Sequence, residues 1–257
     1  MAASDRPATL IGAHRGGAGL WPENSLTAFQ NAVKLPIDLV EFDVHRSSDG
    51  VLVVIHDPTL DRTTNGSGPV FTRTAAELCA LKVKNGTVDA IPLLDQLIAV
   101  VKPTPVNLRL ELKRRADGER YLGLERQVVE RICDAGMLER TIFTSFDWGM
   151  LVTVRDLVTS MGLVALVRPP AAATAELLAD ACREAMAMGL PEIGPPMSQV
   201  TAEKLEVARA HDLRCGAYAV NSREQIRAAF DMNLTAFTTD RPDWAIEERD
   251  ARARSTP

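Results

Sequence analysis

The stretch Leu39-Val40-Glu41-Phe42-Asp43-Val44-His45-Arg46-Ser47-Ser48-Asp49-Gly50-Val51-Leu52-Val53-Val54-Ile55-His56-Asp57 decides how the rest of the chain is read. Glu41 and Asp43 alternate with Val40, Phe42 and Val44, and because strand side chains repeat every two residues the two acids share one face. Side-by-side carboxylates repel unless a proton or a cation lies between them, so the pattern predicts either a metal site or an acid/base pair. Ser48-Asp49-Gly50 is a turn signal, and residues 51–55 are expected to pair back as a short hairpin that ends at His56.

Outward from this stretch, short apolar runs alternate with longer amphipathic ones, as in repeated βα units. Strands are expected at residues 10–14, 39–45, 106–113, 141–145, 163–167, 192–194, 214–220 and 236–239. Helices are expected at 24–34, 74–80, 93–101, 121–135, 148–158, 173–188, 202–210 and 223–230, the first opened by Pro22 and Asn24. Residues 57–73, rich in Thr, Asp, Asn and Gly, read as a long loop, and long loops in compact domains are usually functional.

These units predict a TIM (β/α)8 barrel with a short inserted loop and helical segment after strand two. The expectation is a single domain over 1–257, with its core at about 10–247 and the insertion at about 57–92. A doubly wound open sheet is the alternative, but the Gly-rich phosphate fingerprint that often follows its first strand is missing.

The chain's 257 residues and 46% hydrophobic content suit one large α/β domain. Lys and Arg number 29 against 34 acids, a net charge of −5, which lacks the basic footprint of a nucleic-acid binder. Cys79, Cys133, Cys182 and Cys215 form no CxxC pair and read as small apolar residues in a reducing cytoplasm. The opening Met-Ala-Ala-Ser-Asp-Arg-Pro has an acid and a proline where a signal peptide needs apolar residues, and no run approaches the ~20 apolar residues of a membrane helix. A soluble cytoplasmic protein with no membrane span is the expectation; the oligomeric state is not readable.

Side chains at the C-terminal ends of barrel strands converge on one mouth. His14 and Arg15 close strand one, Glu41 and Asp43 end strand two, His56 ends the hairpin, and Glu111 and Lys113 end the next strand, whose polar face is Asn107, Arg109, Glu111 and Lys113. Three carboxylates from neighbouring strands are the hard oxygen ligands that Mg2+ or Ca2+ prefers, whereas the histidine spacings of a zinc site are absent. Two histidines beside such an ion suit an acid and a base, since imidazole titrates near neutral pH. Arg15 and Lys113 add fixed positive charge, which makes sense if the ligand is a phosphate ester.

The ordered pieces Ala13-His14-Arg15-Gly16, Pro22-Glu23-Asn24-Ser25, Glu41-Phe42-Asp43-Val44, Asp49-Gly50, His56-Asp57, Leu60-Asp61-Arg62-Thr63-Thr64, Ile91-Pro92-Leu93, Glu111-Leu112-Lys113 and Thr239-Asp240-Arg241-Pro242 resemble the glycerophosphodiester phosphodiesterase family. The resemblance spans about 11–244 and is densest before Lys113. It implies a divalent ion, Mg2+ or Ca2+, on Glu41, Asp43 and Glu111, an acid/base pair in His14 and His56, and phosphate contacts from Arg15 and Lys113. It also implies cleavage of small glycerophosphodiesters to glycerol 3-phosphate and an alcohol, through attack of the glycerol 2-hydroxyl and a cyclic phosphate. Phe146 is expected against the glycerol carbons and Tyr218 as an aromatic wall of the pocket.

Ser25 stands where the family commonly has Thr, Arg109 where Asn is common, and Tyr218-Ala219 where it tends to have Trp-Thr. His45 and His211 are read as structural, Asp240 as a supporting group or a cap for the helix at Pro242, and Asp61, Arg62 and Thr63 as either loop-folding residues or a lid. Two alternatives remain open: a lysophospholipase D acting on lyso-lipids, which an apolar groove beside the mouth would favour, and a non-catalytic phosphodiester-binding barrel.

Overall fold

Pairing between the two ends of the chain closes the structure. β1 (Leu10–Ala13) is hydrogen-bonded on one side to β2 (Leu39–Arg46) and on the other to the last strand, 226 residues on from Leu10, with Leu10 opposite Ala236 and Ala13 opposite Thr239. The computed structural model describes residues 9–84, 89–158 and 162–255. The leader reading of residues 1–7 and part of the insertion, 85–88, lie outside them.

From β2 the sheet continues through β4 (Asn107–Leu112), β5 (Thr141–Ser145), β6 (Gly162–Leu166), β7 (Glu192–Gly194) and β8 (Arg214–Cys215), all parallel, while β9 (Ala236–Thr239) flanks β1. Bonds from Thr235 N to Cys215 O and from Ala217 N to Ala236 O, 2.9 and 3.0 Å, join the β8 edge to β9. The result is a nearly closed barrel of eight parallel strands, the TIM architecture. β3 (Leu52–Val54) pairs back antiparallel on β2, as the Ser48-Asp49-Gly50 turn predicts.

Helices alternate with the strands: α1 (Leu26–Ala32), α2 (Ala75–Ala80), α3 (Leu94–Val101), α4 (Leu124–Asp134), α5 (Trp148–Leu157), α6 (Ala175–Ala187), α7 (Ala202–Ala210), α8 (Arg223–Asp231) and α9 (Pro242–Ser255). Thr174, Thr201 and Ser222 cap α6, α7 and α8 by accepting from the third helical N–H, an interaction worth about 1 kcal/mol each. The main core packs the helices' apolar faces on the outside of the barrel, and a smaller cluster of Val53, Ile55, Leu60, Val70, Leu78 and Ile91 seats the inserted segment on the hairpin. No helix among the described residues is long and apolar enough to cross a membrane.

Three local expectations change. The first helix begins at Leu26, not Asn24, because Asn24 has φ 54°, a left-handed conformation no helix accepts; Ser25 is the cap, its Oγ taking the Ala28 N–H at 3.1 Å. The strand expected at 214–220 is regular only over β8. Gly216 lies against β9 so closely that a Cβ would meet Ala236 O at 2.7 Å, and Ala219 at φ 58° turns the chain. The cysteines are not all core residues: Cys182 and Cys215 are buried, Cys79 is half-buried and Cys133 is exposed.

Candidate active site

The β2–β4 register sets Asp43 beside Glu111 and Glu41 beside Arg109, so all four side chains enter the barrel at its C-terminal mouth. Glu41, Asp43 and Glu111 are buried, and one oxygen from each lies within 4.8 Å of the others. Ionised carboxylates at that spacing repel by roughly 3–4 kcal/mol per pair at an effective dielectric of about 20, so the cluster requires cations. Lys113 Nζ supplies one, 2.9 Å from Asp43 Oδ1 and 2.5 Å from Glu111 Oε1, and Asn24 Nδ2 donates to Asp43 Oδ2 at 2.8 Å. The donor set, oxygen only and anionic, fits a divalent hard cation.

Arg15 follows β1 in a single turn, His14–Gly16, with φ 50° where L-residues are strained by about 1–3 kcal/mol. Its position is fixed from three sides: its N–H donates to Glu41 Oε2 at 2.9 Å, its carbonyl accepts from Asn24 N at 2.9 Å, and its Nη1 donates to Glu23 at 2.8 Å. Burial would raise the Asp43 pKa, but Lys113, with His56 and Arg15, holds that carboxyl well below the usual range. Glu41 moves the other way, pushed up by burial and by the Asp43 charge.

His14 and His56 each meet an aspartate through Nδ1: His14 donates to Asp240 Oδ1 and His56 to Asp57 Oδ1, both at 2.6 Å. A carboxylate can only accept, so in both rings Nδ1 carries a proton and Nε2 is the atom left for chemistry. The His14 Nε2 lies 3.9 Å from Glu41 Oε2. Burial lowers the His14 pKa, but Glu41 and the Asp240 hydrogen bond outweigh it and the net shift is upward. His56 goes down, through burial first and then the nearby Lys113 and Arg15 charges, against the opposing pull of Asp43. Arg62 holds Asp57 and Glu23 together with bonds of 2.7–2.9 Å, keeping the Asp57 pKa down at about 2.

The other two histidines are committed elsewhere. The buried His45 gives Nε2–H to the His56 carbonyl at 3.2 Å and takes the Tyr121 hydroxyl on Nδ1 at 2.9 Å, and burial drops its pKa to about 4. His211 stands at the end of α7, where its Nδ1 donates to Val207 O at 2.8 Å.

Arg109 lies below the acids, 1% exposed, and among the described residues neither Nη1 nor Nη2 has a hydrogen-bond partner. Burial lowers its pKa, against the attraction of Glu192, Glu41 and Glu111. It therefore contributes to the acids as a through-space counter-charge. Above it a well of about 230 Å³ is lined by His14, Arg15, Glu41, Thr144 and Tyr218, among others. Phe146 and Tyr218 form one wall, edge to face with ring centres 5.5 Å apart, and the Tyr218 hydroxyl donates to Val167 O at 3.1 Å.

The structure thus brings together all nine side chains singled out from the sequence: Glu41, Asp43, Glu111, His14, His56, Arg15, Lys113, Phe146 and Tyr218. Asp240, read as a supporting group or a cap, holds His14. Sequence reading gave no role to two further residues: Asp57, which orients His56 and whose adjacency to it is a usable signal, and Asn221, which bonds to both Asp240 Oδ2 and its N–H at 2.7 and 2.8 Å.

Three carboxylates, two oriented histidines and fixed cations at a barrel mouth suit the hydrolysis of phosphoric diesters. The model of the glycerophosphoryl diester phosphodiesterase family matches residues 14–244, and the chain belongs to that family. A glycerophosphodiester phosphodiesterase of Bacillus altitudinis is 30% identical over 249 residues, covering 94% of this chain and 98% of its own length. A glycerophosphoryl diester phosphodiesterase structure from Agrobacterium tumefaciens superposes with TM-score 0.93 at 31% identity, covering 97% of this chain and all of that one. A phosphodiesterase of Oleispira antarctica, solved with its product sn-glycerol 3-phosphate, shares the fold with TM-score 0.80 at 24% identity, over 95% of this chain and 97% of its own.

Proposed function

We propose that this enzyme hydrolyses glycerophosphodiesters to glycerol 3-phosphate and an alcohol, with His14 and His56 as its acid/base pair and one Mg2+ or Ca2+ on Glu41, Asp43 and Glu111. The observation that carries the reading is the pair of aspartate-oriented histidines on either side of a buried three-carboxylate cluster. A divalent ion bound to those acids would acidify the attacking hydroxyl and draw negative charge from the phosphate.

The chain's own groups account for the rest. Arg15 and Lys113 face a phosphate with fixed positive charge. One histidine takes the proton of the glycerol 2-hydroxyl at Nε2 as that oxygen attacks phosphorus, while the other protonates the departing alcohol. A water then opens the cyclic phosphate with the two parts exchanged. Each ring keeps its Nδ1 proton on an aspartate and presents Nε2 for proton transfer, which suits one as acceptor and the other as donor.

Assay of glycerophosphocholine after chelator treatment, with Mg2+, Ca2+ or Mn2+ restored in turn, tests the reading. Glu41→Ala and His56→Ala should each cut turnover by at least about a hundredfold with the circular dichroism spectrum intact, and near wild-type turnover in either would sink it. A lyso-lipid substrate is a second reading, favoured by a groove of about 590 Å³ that leads from the mouth past Trp148, Leu166, Leu177 and Met188. The ratio of lyso-lipid to glycerophosphocholine turnover decides between them. We also propose that the chain works as one domain over 1–257, with its core at 10–247 and 57–92 as an insertion, and that it works in the cytoplasm, a setting suited to four unpaired cysteines.

A further inference from the structure

We infer that the mouth selects glycerophosphodiesters whose outward arm carries a negative charge of its own, and that Arg168 is the residue that sets this preference. The inference rests on the phosphodiesterase reading above and concerns which diesters the site takes.

Two cavities meet at the histidines and the acids, and the groove of about 590 Å³ continues the outer one past Arg168. The well inside the barrel, about 230 Å³, and a cleft of about 330 Å³ on the β4–β5 side share His56, Glu111 and Phe146 as lining residues. A phosphate held at that junction, within reach of the histidines and the acids, sends one ester arm into each. The well is the smaller of the two and has carboxylates and a threonine hydroxyl on its walls, which suits the glycerol arm, and the arm that varies between substrates is assigned to the cleft.

The cleft is cationic. Lys113 there is balanced by Glu111 and Asp43, and Asp147 is shared by Arg114 and Arg120 at 2.5–2.8 Å, one acid between two guanidiniums. Among the described residues the Arg168 side chain has no carboxylate partner and no hydrogen bond; its carbonyl accepts from Ala171 N at 3.0 Å. An exposed arginine without a partner is ordinarily a solvated surface group. Arg168 differs in being oriented: its guanidinium lies over the Phe146 ring, 4.8 Å from the ring centre, and Phe146 itself packs edge to face with Tyr218.

That stacking has two consequences for the cleft. The aromatic face that would best receive a quaternary ammonium is already covered by a cation, so a choline arm loses the ring and meets like charge. A phosphate or carboxylate on the arm instead finds a planar donor fork already in place. A second phosphodiester is the chemical group that matches this wall most directly.

The test uses a charge series: glycerophosphocholine with a cationic arm, glycerophosphoglycerol with a neutral one, and bis(glycerophospho)glycerol with an anionic one. In the wild-type chain with its ion restored, kcat/KM should rise along the series, and the preference should shrink as salt is raised from about 50 to 500 mM. Arg168→Gln should cut the anionic-to-cationic ratio about tenfold and Arg168→Glu about a hundredfold, reversing the order, as expected for one and then two units of charge beside the arm. A ratio that moves less than about threefold in Arg168→Glu, or an equal loss on all three substrates, overturns the inference, since a merely structural role predicts that equal loss. The same ratio, read by calorimetric binding of the three diesters to a His56→Ala background, decides the cleft even if no diester is turned over; absent turnover in the wild type would instead overturn the phosphodiesterase reading.

Discussion

The two sides of the mouth solve one problem with different means. On one side His14 ends β1 and takes its aspartate, Asp240, from beyond β9, 226 residues later in the chain; on the other His56 takes the very next residue, Asp57. Both rings end with Nδ1 on a carboxylate and Nε2 free. Their surroundings differ: Glu41 lies beside His14, whereas His56 lies near Lys113 and Arg15, and the pKa values move apart. The comparison teaches that a symmetric pair of residues becomes an acid and a base through the charges around it, not through its own chemistry.

The strongest challenge to that comparison is removal of each ring. His14→Ala and His56→Ala should each lower kcat by roughly 10²- to 10⁴-fold, and a large loss in one with little in the other would break the symmetry. Asp240→Asn and Asp57→Asn should cost roughly ten- to a hundredfold each, the range typical of carboxylates that orient a histidine. Asp57→Asn should lower the melting temperature more than Asp240→Asn, because it releases the charged Arg62 as well as His56, whereas Asp240 holds only the neutral Asn221 besides His14.

Proton NMR of the chelator-treated protein should find His14 titrating above its ordinary 6.5, His56 below it and His45 near 4. Adding Mg2+ should lower the His14 value, since an ion on Glu41 takes away the charge that raises it. The pH profile of kcat/KM should be a bell. Activity should fall on the acid side as the base histidine gains an Nε2 proton, and on the alkaline side as the acid histidine loses its own. The smallest effect belongs to Arg62→Ala: half-exposed, it should change kcat by about two- to fivefold, and only through the His56 side.

Much of the barrel could be read because its signals are local. The boundaries of β5, β7, α7 and β9 follow from apolar runs between turn residues, and each coincides with its expected range. The misses lie where backbone geometry overrides pattern: Asn24 in a left-handed conformation delays α1, and the approach of Gly216 to β9 breaks the regularity of β8. In the site, parity grouped Glu41 with Asp43 and the convergence of strand ends at a barrel mouth added Glu111, whereas the Arg62 link between Glu23 and Asp57 joins residues 39 and 5 positions apart that share no period.

What the sequence determined by itself is the set of groups: two acids on one strand face, a third on the next strand, and a histidine at the end of β1 and of the hairpin. Strand parity acts over two residues and needs no knowledge of the fold. Only the tertiary structure decided what surrounds each group. Barrel closure between β1 and β9 delivers Asp240 to His14, the β2–β4 register buries Arg109 beside Glu41, and the packing of Phe146 holds Arg168 at the cleft. Those placements are distances across the mouth between distant parts of the chain, and charge interactions depend on distance in space rather than on separation along the sequence.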